Sequence, residues 1–297
     1  MKPRFQSMRF IVNPWAGVRH GDVTATIRRM LSGTGVAFDI RQSEYQGHGT
    51  VLAREAALQG IDLIVAVGGD GTINEVGKGL LGLDTPLGTI PIGSGNALAS
   101  GLGIPLDPAQ ACRGLLQAEV WPLDVGKMGG AVFFSTSGAG VDAEVCWQFN
   151  RRSGRRGFLT YAVLSLAAFK AYQSEEVCVT LDEGMELRLR PAVLTVANTS
   201  QFGNGAAIAP KARPDDGLLD LCIVEDIGLP RTLWHVRRLF NGTIEQAPGA
   251  QYFQTRGLRI ERGKPGRFQV DGESMTGDAT LEVTVMPKAI QIAIPKQ

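Results

Sequence analysis

Two glycine-rich stretches and two acidic turns carry the residues that could do chemistry. In IDLIVAVGGDGTINEVGKGL (61–80) an apolar run breaks into Gly68, Gly69, Asp70, Gly71 and Thr72. That places several backbone N–H groups, a hydroxyl and a carboxylate at a strand's carboxyl end, where parallel sheets bind ligands. Glycine permits positive φ and close approach of a ligand, and successive N–H groups make an anion-binding concavity, so a phosphate is the expected guest. TPLGTIPIGSGNALASGLG (85–103) repeats the plan with Ser94, Gly95 and Asn96. Asn13 closes a first strand, and Asn74 and Glu75 stand in the first turn of the helix after Thr72. Three strand ends with small polar loops make one crevice. No GKS or GKT follows the first loop, and it lacks the GxGxxG rhythm, so neither a P-loop nor a dinucleotide fingerprint is present.

Farther along, PKARPDDGLLDL (210–221) gathers Asp215, Asp216 and Asp220, and FQVDGESM (268–275) sets Asp271 and Glu273 around Gly272. Singly, DDG and DG are ordinary turn sequences. Together they supply oxygen ligands for Mg²⁺, a hard cation, with a carboxylate to spare as base. A turn at 271–273 could present one or both carboxylates to a cleft; a strand would put both on one face. Phosphate cradle, metal and base are the parts of phosphoryl transfer to a hydroxyl.

The elements that position these residues alternate at first. Strands are expected at 9–12, 36–40, 61–67 and 87–92, with helices at 22–31, 50–58, beyond 72, and 107–116. This is the pattern of βα units on a parallel sheet. Near residue 125 the texture changes, and a domain boundary is placed there. Strands then follow one another at 120–127, 131–136, 177–181, 186–189, 192–198, 219–224, 257–261, 268–270 and 281–286, many alternating as antiparallel sheets do. Helices at 158–171 and 231–239 interrupt them.

Composition excludes other classes. At 297 residues, 44 % hydrophobic, 20 % charged and net +1, the chain is globular, without the basic surface of a nucleic-acid binder. Four cysteines without CxxC spacing and three histidines suggest neither a disulfide framework nor a zinc site. The first residues lack the apolar core of a signal peptide, and no apolar stretch is long enough to span a membrane.

With VNPWAG (12–17), AVGGDGTINEV (66–76), LGTIPIGSGNALA (87–99), NTSQFGNGAAIAPKARPDDGLLDL (198–221) and VDGE (270–273), the sequence resembles the diacylglycerol-kinase catalytic-domain superfamily nearly end to end. It is most similar in style to the bacterial YegS- and DgkB-like lipid kinases, with sphingosine and ceramide kinases as more distant relatives. The resemblance implies an N-terminal α/β nucleotide domain (1–125) like that of 6-phosphofructokinases and NAD kinases. It implies a C-terminal antiparallel β-sandwich (126–297), whose last residues are candidates to return to the first domain, and ATP in the cleft between the two. Carried over by motif, Asn13, Ser43, Gly68, Gly69, Asp70, Gly71, Thr72, Ile73, Asn74, Glu75, Ser94 and Asn96 would bind nucleotide. Asp70, also implied in catalysis, and Glu75 would orient the loop or a metal-bound water. Asp216 would ligate a structural Mg²⁺ beside the backbone oxygens of Arg213 and Leu218. Glu273 would be the proton acceptor, with Asp271 its rival. Many bacterial relatives have Asn-Asp after the second glycine loop; here Asn96-Ala97-Leu98-Ala99 stands closer to the sphingosine- and ceramide-kinase style.

Arg151, Arg152, Arg155 and Arg156 precede the apolar segment FLTYAVLSLAAF. A solvated loop explains them, or a surface on which they contact anionic head groups while Trp147, Phe149 and Phe158 reach the lipid interface. The reading is an ATP- and Mg²⁺-dependent lipid kinase, cytoplasmic, touching the inner face of the membrane transiently to reach a lipid substrate, with a homodimer as an option. Phosphorylation of a soluble acceptor such as NAD, and a non-catalytic nucleotide-binding module, are the alternatives.

Overall fold

A computed structural model of the chain describes residues 3–16, 22–151 and 158–296, so Gly17 of the first motif and residues 152–157 of the arginine segment lie outside the described residues. It divides into two compact units, Met1–Leu123 with Lys288–Gln297, and Asp124–Pro287.

The first unit runs β1 (Ser7–Val12), α1 (Val23–Leu31), β2 (Ala37–Gln42), α2 (His48–Leu58), β3 (Leu63–Gly68), α3 (Asp70–Leu80), β4 (Leu87–Pro91), α4 (Ala97–Gly101) and α5 (Pro108–Leu115). Its strands pair in parallel in the order β2-β1-β3-β4, and Ile292 joins beside Leu87, again in parallel. Every residue of β3 and β4 is buried, as expected of central strands covered on both faces. From β1, Met8, Phe10 and Val12 alternate into a core shared with Ile27 and Leu31 of α1 and Cys112 and Leu115 of α5. Asp22 caps α1 by accepting from the N–H groups of Thr24 and Ala25, and Asp107 caps α5 ahead of Pro108. Helix α3 lies so near α2 that a Cβ on Gly79 would stand 2.4 Å from the carbonyl oxygen of Thr50.

β5 (Glu119–Met128) ends the first unit and begins the second, which continues with β6 (Ala131–Phe133), β7 (Thr136–Gly138), α6 (Val141–Arg151), α7 (Phe158–Ala171), β8 (Val177–Leu181), β9 (Glu186–Leu189), β10 (Pro191–Ala197) and β11 (Leu219–Glu225). Then come α8 (Leu229–His235), α9 (Arg237–Phe240), β12 (Ala250–Thr255), β13 (Gly257–Arg262), β14 (Gly266–Val270), β15 (Glu273–Gly277) and β16 (Thr280–Ile294). One sheet has the order β12-β11-β10-β7-β14-β15, antiparallel throughout. Facing it, β16, β13, β8 and β9 pair antiparallel, and β5 forms a hairpin with β6. Leu194, Val196, Leu221, Ile223 and Phe268 of the first sheet meet Val179, Leu258, Ile260, Leu281 and Val283 of the second in one core, which makes this unit a β-sandwich.

The single strand expected at 131–136 is two. β6 pairs with β5, whereas β7 belongs to the other sheet, so the chain changes sheets at Phe134 and Ser135. Helix α6 and the strands β12 and β15 were not expected.

Candidate active site

In the first unit the two glycine loops are built against each other. A Cβ on Gly93 would lie 2.4 Å from Cα of Gly69, and one on Gly69 would lie 3.1 Å from Cα of Gly93. Positive φ is not the reason for glycine here: none of Gly68, Gly69, Gly71, Gly93 or Gly95 adopts it. Close backbone approach is the reason. At Gly68 an added Cβ would meet the Thr72 hydroxyl, and at Gly95 it would come within 3.1 Å of Asp70 Oδ2. Asn96 takes the left-handed conformation instead (φ 53°) and closes its own loop, accepting from the Gly93 N–H at 2.9 Å and donating to the Gly93 carbonyl at 3.0 Å. Ser94 at the tip is exposed.

The other expected contacts divide. Asp70 opens α3 and accepts from the Leu98 N–H at 3.3 Å, so its carboxylate ties the first loop to the start of α4. Asn13 donates to the Thr72 hydroxyl at 3.1 Å and accepts from the Trp15 N–H, which brings the end of β1 to the first loop. Ser43 follows β2, buried, its N–H donated to the Val12 carbonyl, while Ile73 and Asn74 are buried in α3. Glu75 does not join the loops. Its two carboxylate oxygens accept from Gly47 (2.8 Å) and Gly49 (3.1 Å), N–H groups at the first turn of α2, a helix without a side-chain cap of its own. A helix start needing an acceptor accounts for these two bonds.

In the second unit Asp271 and Gly272 both have positive φ (46° and 82°) and join β14 to β15 with Val270 opposite Glu273. This is the two-residue hairpin turn for which Asp-Gly is suited. It sends the two carboxylates to different places. Glu273 is exposed, whereas Asp271 is buried and accepts from the N–H groups of Phe134 (2.8 Å), Ser135 (2.8 Å) and Thr136 (3.2 Å). Those are the residues at which the chain changes sheets, and buried N–H groups leaving a ladder must be satisfied. Asp271 therefore fits the role of anchor better than that of base.

Helix α6, unread in the sequence, holds the same turn. Asn150 donates to the Gly272 carbonyl at 3.1 Å, and Gln269 accepts from the Gly272 N–H at 3.0 Å while donating to Asp142 at 3.3 Å. Asp142 also accepts from Thr195 and the Gly140 N–H; burial pushes its carboxyl up, and these bonds oppose the shift. Glu144 pairs with Arg267. The acidic first turn (Asp142, Glu144) and terminal Arg151 were the signals that could have revealed α6. The guanidinium groups of Arg151 and Arg267 lie 4.7 and 3.5 Å from the Trp147 ring centroid, so that indole, expected at a lipid interface, is engaged within the protein.

The DDG loop rests on Asp124, which sequence reasoning passed over. Fully buried, Asp124 accepts from the Gly217 N–H at 2.6 Å and donates its own N–H to the Pro214 carbonyl at 2.7 Å. Asn198 donates to the carbonyls of both Asp124 (2.8 Å) and Phe134 (2.9 Å), linking this loop to the segment that holds Asp271. Asp216 is exposed, one oxygen accepting from the Leu218 N–H at 3.0 Å, while Arg213 pairs with Asp215 at 3.5 Å. Burial, then the neighbouring Asp216 charge, pushes the Asp220 carboxyl up to about 6. Among the described residues no three His, Cys, Asp or Glu side chains group as a metal site. The donors that fit a hard cation are one Asp216 carboxylate oxygen with loop carbonyls.

Residues 7–128 match the diacylglycerol kinase catalytic domain, and residues 135–294 match the YegS C-terminal NAD kinase beta sandwich-like domain. This chain belongs to the diacylglycerol-kinase catalytic-domain family. A probable lipid kinase of YegS-like type from Chromohalobacter salexigens is 31 % identical over 84 % of this chain and 81 % of its own length. The diacylglycerol kinase of Bacillus subtilis is 27 % identical over 97 % and 96 %. The crystal structure of a candidate diacylglycerol kinase from Bacillus anthracis superposes with a TM-score of 0.82 at 25 % identity, covering 99 % of this chain and 97 % of that one. The expected fold, α/β followed by antiparallel sandwich, is the fold of this family and of this chain. No described helix is long and apolar enough to cross a membrane.

Proposed function

We propose that the chain is an ATP-dependent lipid kinase that passes the γ-phosphoryl group to a hydroxyl of a membrane-borne lipid. The observation that carries the reading is the backbone-to-backbone meeting of the two glycine loops at the start of α3, a helix without a side-chain cap, with the exposed Ser94 hydroxyl on the second loop; a polyphosphate suits such a helix start. The named relatives supply the lipid class. In this reading, residues 1–125 hold nucleotide and the sandwich presents Glu273 to the acceptor. The acceptor oxygen bonds to the γ-phosphorus, its proton passes to Glu273, and ADP leaves with the electrons of the broken bond. Asp70 positions the loops through Leu98, and Asp271 positions the turn that carries Glu273. Asp216 and the carbonyls of Arg213 and Leu218 would hold Mg²⁺, whose chemistry when bound is to offset phosphate charge.

Incubation with labelled ATP and mixed micelles of diacylglycerol, monoacylglycerol, sphingosine, ceramide or phosphatidylglycerol, with NAD in a parallel reaction, tests the reading. Label is expected in one lipid and in no NAD product. Label in NAD alone, or in nothing, refutes it.

A further inference from the structure

By sequence, residues 147–158 are a candidate for membrane contact, yet Trp147 is already covered by the guanidinium groups of Arg151 and Arg267. A second aromatic and basic cluster is open to solvent. Between 227 and 243 the chain has Arg231, Arg237 and Arg238 and no Asp or Glu. Helices α8 and α9 expose Trp234 (64 %), Val236 (37 %) and Phe240 (48 %), with Arg231 and Arg237 exposed among them. The Arg237 guanidinium lies 4.5 Å from the Trp234 ring centroid.

We propose that α8 and α9 form the surface by which the protein docks on an anionic phospholipid bilayer. Charge and shape together favour this partner. Indole settles at the polar–apolar boundary of a bilayer, Val236 and Phe240 add apolar area, and the exposed Arg231 and Arg237, which form no ion pair with a carboxylate among the described residues, match lipid phosphates. Arginine stacked on an indole keeps its charge while entering that boundary, since its stem and the ring are both amphipathic. The helices are not loose appendages. The Leu239 carbonyl accepts from the Ala207 N–H at 2.7 Å, and Leu239 packs against the core formed by Ala197, Ile208, Ala209 and Cys222. Lys211 pairs with Glu245 at 2.5 Å, so the segment after α9 is tied to the one leading into the Asp216 loop. The docking face is thus fixed to the unit that contains Asp216 and Glu273. Its purpose rests on the lipid-kinase reading; its measurement does not.

Co-sedimentation of the full chain with phosphatidylcholine vesicles, with and without phosphatidylglycerol, tests the proposal at low and high salt. Wild-type protein is expected to bind the anionic vesicles in a salt-sensitive manner. Arg231→Gln with Arg237→Gln should weaken binding about 30-fold, from about 1 kcal/mol per basic residue at such a surface. Trp234→Ala with Phe240→Ala should weaken it at least tenfold, from the transfer of exposed apolar side chains. Trp121→Ala, which removes an exposed indole from the other unit, should bind as wild type. Melting curves of all variants should coincide, because the changes are at the surface. Wild-type protein that ignores anionic vesicles overturns the inference, as does undiminished binding by both double variants, or loss confined to Gln replacements at Arg151, Arg152, Arg155 and Arg156. Vesicle binding lost as expected, with no lipid phosphorylated, sustains the docking surface and removes the kinase reading instead.

Discussion

Substituting the two carboxylates of the Asp-Gly hairpin separates a structural role from a chemical one. Asp271→Asn keeps size and changes bonding. The carboxylate accepts from three buried N–H groups, two at one oxygen and one at the other. An amide has only one accepting oxygen; its NH₂ would face Phe134 N–H if the oxygen stays with Ser135 and Thr136. One buried donor is then unsatisfied, at about 1–3 kcal/mol, and the remaining bonds lose the advantage of a charged acceptor. A total near 3 kcal/mol is expected. At about 2–4 °C per kcal/mol for a unit of this size, the melting temperature should fall by about 6–12 °C. Glu273→Gln, exposed on β15, should leave melting unchanged and reduce kcat by about 10²–10⁴, the worth of a positioned general base. Differential scanning calorimetry and steady-state kinetics on both variants are the assays. An Asp271→Asn protein that melts as wild type while losing kcat would refute the anchor argument and return Asp271 to the chemistry.

Two further outcomes follow from other parts of the structure. Gly93→Ala puts a methyl 2.4 Å from Cα of Gly69, so the loops must part; a stability loss of about 1–3 kcal/mol and weaker ATP binding by calorimetry are expected, and unchanged affinity would remove the paired loops from the nucleotide site. Asp142 has a raised carboxyl, so its contribution to stability is complete below the ordinary carboxylate range and is lost as pH rises through the raised value; melting temperatures from about pH 4 to about pH 8 should show that loss in wild type and not in Asp142→Asn.

The first unit was legible because its signals are local and strong. β3 is six buried residues in a row, α1 and α5 carry Asp caps and apolar stripes, and the glycine motifs punctuate the strand ends. What the local pattern did not show there was the setting of two features. The loop glycines serve approach rather than positive φ, and Glu75 caps the start of α2, whose N–H groups lie 28 and 26 residues before it and so beyond any local pattern. In the second unit the strands were visible by alternation, but their partners were not. Nothing in AVFFST tells that β6 and β7 enter different sheets, because that depends on a carboxylate 135 to 137 residues later. Helix α6 escaped notice for a related reason: Gly138 and Gly140, at which a Cβ would strike Asp142 and the β10 backbone, let it sit tightly on the sheet, and that contact is invisible in sequence. The VDGE motif pointed to the right turn and left open which carboxylate faces solvent; only the hairpin geometry separates them.

Strand β16 imposes an order on biosynthesis. Residues up to Pro287 belong to the second unit, while the stretch from Lys288 belongs to the first. Ile290, Ile292 and Ala293 are fully buried there, and Ile292 is the strand neighbour of Leu87 in β4. A ribosome making this chain has produced both glycine loops long before the residues that complete the sheet beneath them. Until residues 288–297 have been made, Leu87 of β4 lacks its strand neighbour Ile292 and the apolar surface that Ile290, Ile292 and Ala293 cover is open. The sandwich, encoded between, has all its strands first. Nascent chains stalled just before residue 288 should therefore carry a finished second unit and an unfinished first one, and removal of residues 288–297 would be felt at β4, about 200 residues earlier in the sequence.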